Sequence, residues 1–481
     1  MPLRRFPLLV LAIGLLAPLS ARASCSSARL FLNAGAAPRV KIAADLSSRL
    51  DHTEERLRVI VDLREQIDWN RSTGLERLGR RERIDCVSRL AQNITSRSQR
   101  NVRRVLSRLQ KQRQIDRWQA LSIVNRFIVS ANADAIRALA RLPEVESISG
   151  DFRAEALLED PSERDIADAD APPDRTEQMS RIGAPQVWRD GIDGTGVLVG
   201  IIDSGASREH EQLRRNFRSG STSWFDPVNE SPTPTDVEFG HGTAVLSCAV
   251  ATNTGRPNVG VAPGARWIAT VGFDSRWYSP IGISAAADWM FRVGKPDVLA
   301  IPWRIPGESC ENSLRPIVNA WRAAGIVVVF AAGNSGPAEG SGVSPASYTG
   351  LYPGNGVALS VGAVDGRGLP YQHSSRGPNR CGPGPFPAVV APGENVLVAF
   401  PVGTSGYRLA SGTSYATGYV TGAAALLLQR FPRASADQIE RALRHGAVDL
   451  GSAGADDTYG FGLINVPNSI QWLERYIESA R

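Results

Sequence analysis

The stretch Val197-Leu198-Val199-Gly200-Ile201-Ile202-Asp203-Ser204-Gly205 decides the fold. Apolar residues and one glycine follow one another without polar alternation, as in a strand buried on both faces of a parallel sheet. The run then ends on a carboxylate and a turn, so the chain leaves the sheet at a reactive side chain. Working outward, Ile326-Val327-Val328-Val329-Phe330 is a second such run, preceded by helical spacing over 315–324. Further strands are predicted at 357–364 and 388–390, and helices at 284–292, 414–429 and 436–444. This rhythm predicts an α/β domain with a mostly parallel sheet covered by helices.

Sites in such sheets form where strands end and the chain turns. Four turns here carry reactive residue types: Asp203-Ser204-Gly205, Gly240-His241-Gly242-Thr243, Ala331-Ala332-Gly333-Asn334-Ser335-Gly336 and Gly412-Thr413-Ser414-Tyr415-Ala416. Each alone is ordinary: an Asx turn, a capped helix start, a glycine loop, an N-cap. Together, in the order Asp, His, Asn, Ser, they match one of the convergent chain orders of the serine triad.

On these residues the chain resembles the subtilisin-type serine proteases, the subtilases. The resemblance runs from Ile182 to about Ser469 and takes in Gly260-Val261-Ala262-Pro263, Ser374-Ser375-Arg376-Gly377-Pro378, Ala391-Pro392-Gly393 and Tyr459-Gly460-Phe461-Gly462. It implies hydrolysis of peptide bonds in polypeptide substrates through an acyl-enzyme, with no cofactor and no catalytic metal. Ser414 would be the nucleophile and His241 its base, with Asp203 orienting the imidazole. Asn334 and the Ser414 backbone N–H would receive the oxyanion, at a helix N-terminus whose dipole favours negative charge. Ser204 would support Asp203. Substrate contacts are expected from Pro302, Trp303, Arg304, Ala331, Ala332 and Gly333. The other four histidines are assigned structural places, His445 as a cation suited to a helix C-terminus.

The chain also departs from the family. Leu299-Ala300-Ile301-Pro302-Trp303-Arg304-Ile305 stands where a substrate-pairing Ser-Leu-Gly segment is usual. Pro302 lacks a backbone donor, and Arg304 puts positive charge on the wall of the specificity pocket. An acidic or polar side chain before the scissile bond is therefore expected. Gly418, in place of a family proline, reads as merely permissive. A structural calcium is left open at Gln212 and Thr254.

The 481 residues suggest about three units at roughly 150 residues each. The net charge of +6 is unevenly placed: residues 71–117 hold 14 Lys/Arg against four acids, so the remainder is net −4. That basic segment lacks interleaved aromatics and reads as a solvated helical face, so no nucleic-acid partner is expected. Arg4 and Arg5, an apolar run over 6–19 and Ala21-Arg22-Ala23 read as an export signal, placing the protein in the periplasm or outside the cell without a stable membrane anchor.

Five cysteines leave one without an internal partner, assigned to Cys248 in an apolar run; Cys310 with Cys381 and Cys25 with Cys86 are open pairings. Strands are predicted at 57–63, 127–130 and 145–149, and Asn132 as the cap of a helix over 133–142. The span 88–121 has helical spacing, with Leu90, Ile94, Val105 and Leu109 inward. The resulting division is a signal peptide at 1–23, a small α+β leader at 24–157, an acidic Pro-containing linker at 158–176 and the peptidase region at 177–481. The leader resembles the family's inhibitor propeptide, which makes it the chain's own partner, released near Leu157 or Leu158. Two other readings share these features: a catalytically silent peptide-binding module, and an esterase or transferase using the same triad.

Overall fold

The computed structural model describes residues 25–34, 41–52, 55–151, 154–155, 164–166, 176–237, 240–252, 259–274, 277–305, 310, 313–348, 358–401 and 403–479. The export signal and most of the acidic linker lie outside these residues. No helix among them is long and apolar enough to cross a membrane.

A seven-stranded, all-parallel sheet organises the peptidase region. Its spatial order is Trp224–Phe225, Arg266–Val271, Leu198–Asp203, Val298–Ile301, Val327–Ala331, Leu359–Val364, Val389–Pro392. Leu198–Asp203 comes first in this sheet along the chain yet third in space, so strand order reverses around it. A crevice opens at the carboxyl ends of strands at such a reversal, and Asp203 stands at that end. The opening apolar run is buried on both faces as its sequence requires. Val199 and Ile201 join one core, while Leu198 and Ile202 join the other.

The first core is built around Thr413–Arg430, whose residues are buried from Thr413 to Leu428. A helix apolar on every side has to lie inside. It crosses His241–Val250 closely because Gly418 carries no side chain: a Cβ there would stand 2.6 Å from the Val245 carbonyl and from Cys248 Cβ. Gly418 is thus a packing requirement, which corrects its reading as merely permissive. Cys248 is fully buried and unpaired, and burial pushes its thiol well above the ordinary range. The second core lies under Pro280–Trp289, the π-helical turn Met290–Gly294 and Arg315–Ala323.

The leader folds as a four-stranded antiparallel sheet in the order Ile115–Leu121, Arg126–Ala131, Leu57–Leu63, Val145–Gly150, with a two-stranded pair, Arg29–Ala34 and Glu65–Thr73, beside it. Asn132 caps Ala133–Ala140 by accepting from the Ala135 N–H. The span expected to be one helical face is two helices and a strand: Arg80–Ser98, Arg100–Lys111, then Ile115–Leu121. Gln99 stands between the two helices, and its buried amide donates to the Leu121 carbonyl and to Asn125. Arg113, at φ 58°, turns the chain into the strand. The inward positions shift accordingly to Val87, Ala91, Val102 and Leu106, with Leu109 as expected, while Leu90, Ile94 and Val105 sit half-buried at the margins. Disulfides join Cys25 to Cys86 and Cys310 to Cys381.

Candidate active site

Asp203, the last residue of its strand, and His241, the first of its helix, are both buried. Their approach depends on the glycines around the histidine. Gly240 takes φ 58°, and a Cβ on Gly242 would press into the Gly205 carbonyl. With that space open, His241 Nδ1 lies 2.9 and 3.1 Å from the two Asp203 carboxylate oxygens. Nδ1 therefore carries the proton and donates it to Asp203, while the Ser204 backbone N–H donates to the same carboxylate at 2.7 Å.

Ser204 thus meets Asp203 through its backbone, while its hydroxyl goes elsewhere. It donates to Asp236 at 2.7 Å and accepts the Gly242 N–H at 3.1 Å. Asp236 also accepts from the Thr243 N–H and hydroxyl, at 2.7 and 2.6 Å, and from the Val237 N–H. Burial raises its pKa above the ordinary carboxylate range, and the nearby Asp203 charge adds to that; the hydrogen bonds from Thr243 and Ser204 oppose it. Sequence reasoning passed over Asp236, although its place five residues before the histidine suits a group that ties down the start of a helix.

Across the crevice, Ser414 sits in the first turn of Thr413–Arg430, and its hydroxyl donates to the Pro302 carbonyl at 2.8 Å. Asn334 follows the strand Val327–Ala331. Its side-chain oxygen accepts from both the N–H and the hydroxyl of Thr413, each at 3.0 Å, while that hydroxyl accepts the Gly333 N–H. These bonds fix which end of the amide is oxygen, so the Asn334 NH2 points away from Thr413. Thr413 was read only as part of an N-cap; its further task is to orient Asn334.

A small cavity of about 30 Å³ lies here, lined by Pro302, Trp303, Arg304, Ala331, Gly333, Asn334 and Ser414 among others. Ala332 is buried and spends its N–H on Val361. Trp303 turns its ring into the core, donating to the Ile202 carbonyl and meeting Phe273 edge-on. Arg304 is half-buried with no acidic partner among the described residues, and burial lowers its pKa.

The remaining histidines are structural. His210 is fully buried between the Gly406 carbonyl and the Gln212 N–H, and burial lowers its pKa. His373 packs against Tyr371, and His52 is exposed. His445 ends a helix and stacks on Trp472, and burial with Arg444 and Arg441 lowers its pKa. Gln212 gives its amide to Tyr407, and Thr254 lies outside the described residues. No group of three or more His, Cys, Asp or Glu side chains among the described residues could hold a metal. The one described calcium candidate is thus engaged with protein, and calcium enters no step below.

Comparison with known proteins places this geometry. Residues 194–462 match the family model described as the subtilase family. Subtilisin BL and subtilisin Savinase, both of Lederbergia lenta, are each 34% identical over 289 and 288 residues, which is 60% of this chain and 95% of either relative. Bacillopeptidase F of Bacillus subtilis (strain 168) is 29% identical over 414 residues, 78% of this chain but 28% of that relative. An alignment of that length takes in more than the peptidase region, so the likeness reaches into the leader.

Proposed function

The chain belongs to the subtilase family, and from that premise we propose that it is an exported serine endopeptidase, made as a precursor that cuts itself in the acidic linker. One observation carries the reading: Asp203 holds the imidazole of His241 on one side of a crevice whose other side presents Ser414 at a helix N-terminus and Asn334 with its amide oriented. In the reaction, Ser414 Oγ turns from the Pro302 carbonyl and attacks the substrate carbonyl while His241 takes its proton. Asp203 stabilises the imidazolium that results. The oxyanion receives the Asn334 NH2 and the Ser414 N–H. His241 then protonates the leaving amine, and water repeats the sequence to free the acid. In the precursor, the leader is held to the peptidase region by Ser122 and Ile123, whose N–H groups donate to Asp288 at 2.8 and 2.9 Å.

Substrate preference is read from Arg304. A half-buried guanidinium with no acid beside it among the described residues attracts a carboxylate, because the burial already spent on the charge makes a pairing partner favourable. Aspartate or glutamate before the scissile bond is the class this favours.

Intact mass and N-terminal sequence of the purified chain, beside Ser414→Ala made the same way, test the reading. Loss of the leader in the parent and its retention in Ser414→Ala is expected. A full-length parent would turn the reading to a silent peptide-binding module.

A further inference from the structure

The two parts of the leader meet the peptidase region differently. The four-stranded part has a core of its own, with Val59, Val61, Phe127, Val129, Ile136 and Ile148, and no peptidase residue belongs to it. Across the junction it makes polar contacts, Ser122 on Asp288, Arg126 on Ser284, Asp151 on Ser279 and Arg117 on Glu230, and its strand-linking turn adds Ile123 and Val124 to the neighbouring apolar cluster. A cavity of about 540 Å³ separates Trp118 and Val129 from Phe225 and Ile281.

The other part comprises Arg29–Ala34, Glu65–Thr73 and Arg80–Ser98, and the Cys25–Cys86 disulfide ties its first residues to its helix. It has no separate core. Ile67, Trp69, Leu78 and Val87 are buried in one cluster with Phe291 and Trp321 of the peptidase region. Trp69 meets the ring of Phe291 edge-on at 5.9 Å. Arg83 donates to the Ala323 carbonyl at 2.7 Å. Arg80 and Arg81 pair at 3.0 and 2.8 Å with Asp297, which is 2% exposed and receives one further bond, from the Leu198 N–H of the central sheet. The helix Arg315–Ala323 is packed against the central sheet on one side and against Glu65–Thr73 on the other.

We propose that this disulfide-tied part is a permanent subunit: once the linker is cut, the piece bearing residues 25–98 stays on the peptidase region, and the working enzyme consists of two chains. Its departure would expose a contiguous apolar face, the kind of surface that stays covered in soluble proteins, and strip both arginines from Asp297. The proposal rests on the reading above only in taking the linker as the place of cleavage.

The test makes that cut independently. In the full chain carrying Ser414→Ala, a site-specific protease sequence replaces residues 168–174, and the cut protein is run through size exclusion at 0.5 M salt. Co-elution of both pieces is expected, and it should persist in Arg126→Ala/Asp151→Ala, which removes two of the polar contacts of the four-stranded part. Trp69→Ala/Arg81→Ala should raise the dissociation constant at least 100-fold. If that pair fails to fold, Arg81→Ala alone should make the co-elution salt-sensitive. Separation of the parent pieces would overturn the proposal, as would separation by Arg126→Ala/Asp151→Ala alone. Failure of self-cleavage would leave this outcome unaffected, because an added protease makes the cut.

Discussion

The two walls of the crevice are built on opposite principles. On the Asp203 wall every charge is answered from within: Asp203 by His241 and Ser204, Asp236 by Ser204, Val237 and Thr243. On the Ser414 wall, Asn334 is fastened by its oxygen and keeps its NH2 end turned away from those bonds, while Arg304 has no acid beside it among the described residues. The first wall is rigid because buried polar groups that are fully hydrogen-bonded admit one arrangement. The second keeps donors and charge for something that is not part of the chain. On the proposed reading, the first wall orients the base and the second recognises the substrate, so substitutions on the two walls should differ in kind as well as in size.

The largest effect belongs to Ser414 on the second wall. Ser414→Ala should lower kcat on a peptide substrate by about 10⁶-fold, the scale of losing the nucleophile of an acting triad. A fall of less than tenfold would remove the serine from the chemistry. Next, Asn334→Ala should cost about 10²–10³ in kcat with KM little changed, because its NH2 is engaged only when the oxyanion forms. A loss confined to KM would make it a substrate-binding group instead.

Arg304→Gly should lower kcat/KM for an acidic residue before the scissile bond by about 10–100-fold, equivalent to roughly 1.4–2.8 kcal/mol, and raise it for large apolar ones. A library profile identical in parent and variant would break the contrast between the walls.

The smallest effect concerns pH. The folded pKa of Asp236 is raised, so the folded state binds its proton more readily than the unfolded chain does. Stability from this group is therefore greatest below the ordinary carboxylate range and declines as pH rises from there through the folded pKa. Asp236→Asn should flatten that part of a Tm-against-pH curve, by comparison with the parent. An unchanged slope would assign the pH dependence to other buried acids, with Glu440, also raised by burial, as the first candidate.

Much of this was legible in the chain alone, because it rests on patterns that short stretches carry. Apolar runs such as 197–202 can only be strands covered on both faces, and the all-round apolar character of Thr413–Arg430 can only be a central helix. The turns bearing Asp203, His241, Asn334 and Ser414 announce themselves by glycines that leave room for close backbone approach. The sequence by itself thus determined the α/β architecture, the order of the reactive turns and the unpaired state of Cys248.

Contacts between distant segments needed the tertiary structure. The buried amide of Gln99 finds its partners at Leu121 and Asn125, more than twenty residues on, and no local signal carries that. Gly418 is required by a carbonyl on another helix, and Ser204 finds Asp236 with its hydroxyl as well as Asp203 with its N–H. Trp303, although it borders the pocket, turns its ring into the core, where the Ile202 carbonyl accepts its N–H. Hydrophobic periodicity assigns a face to each element but leaves open which partner covers it. That choice is made by the summed burial and hydrogen bonding of the whole chain, and here it laid one part of the N-terminal region into the core beneath the parallel sheet while the other, save its turn residues Ile123 and Val124, kept a core of its own.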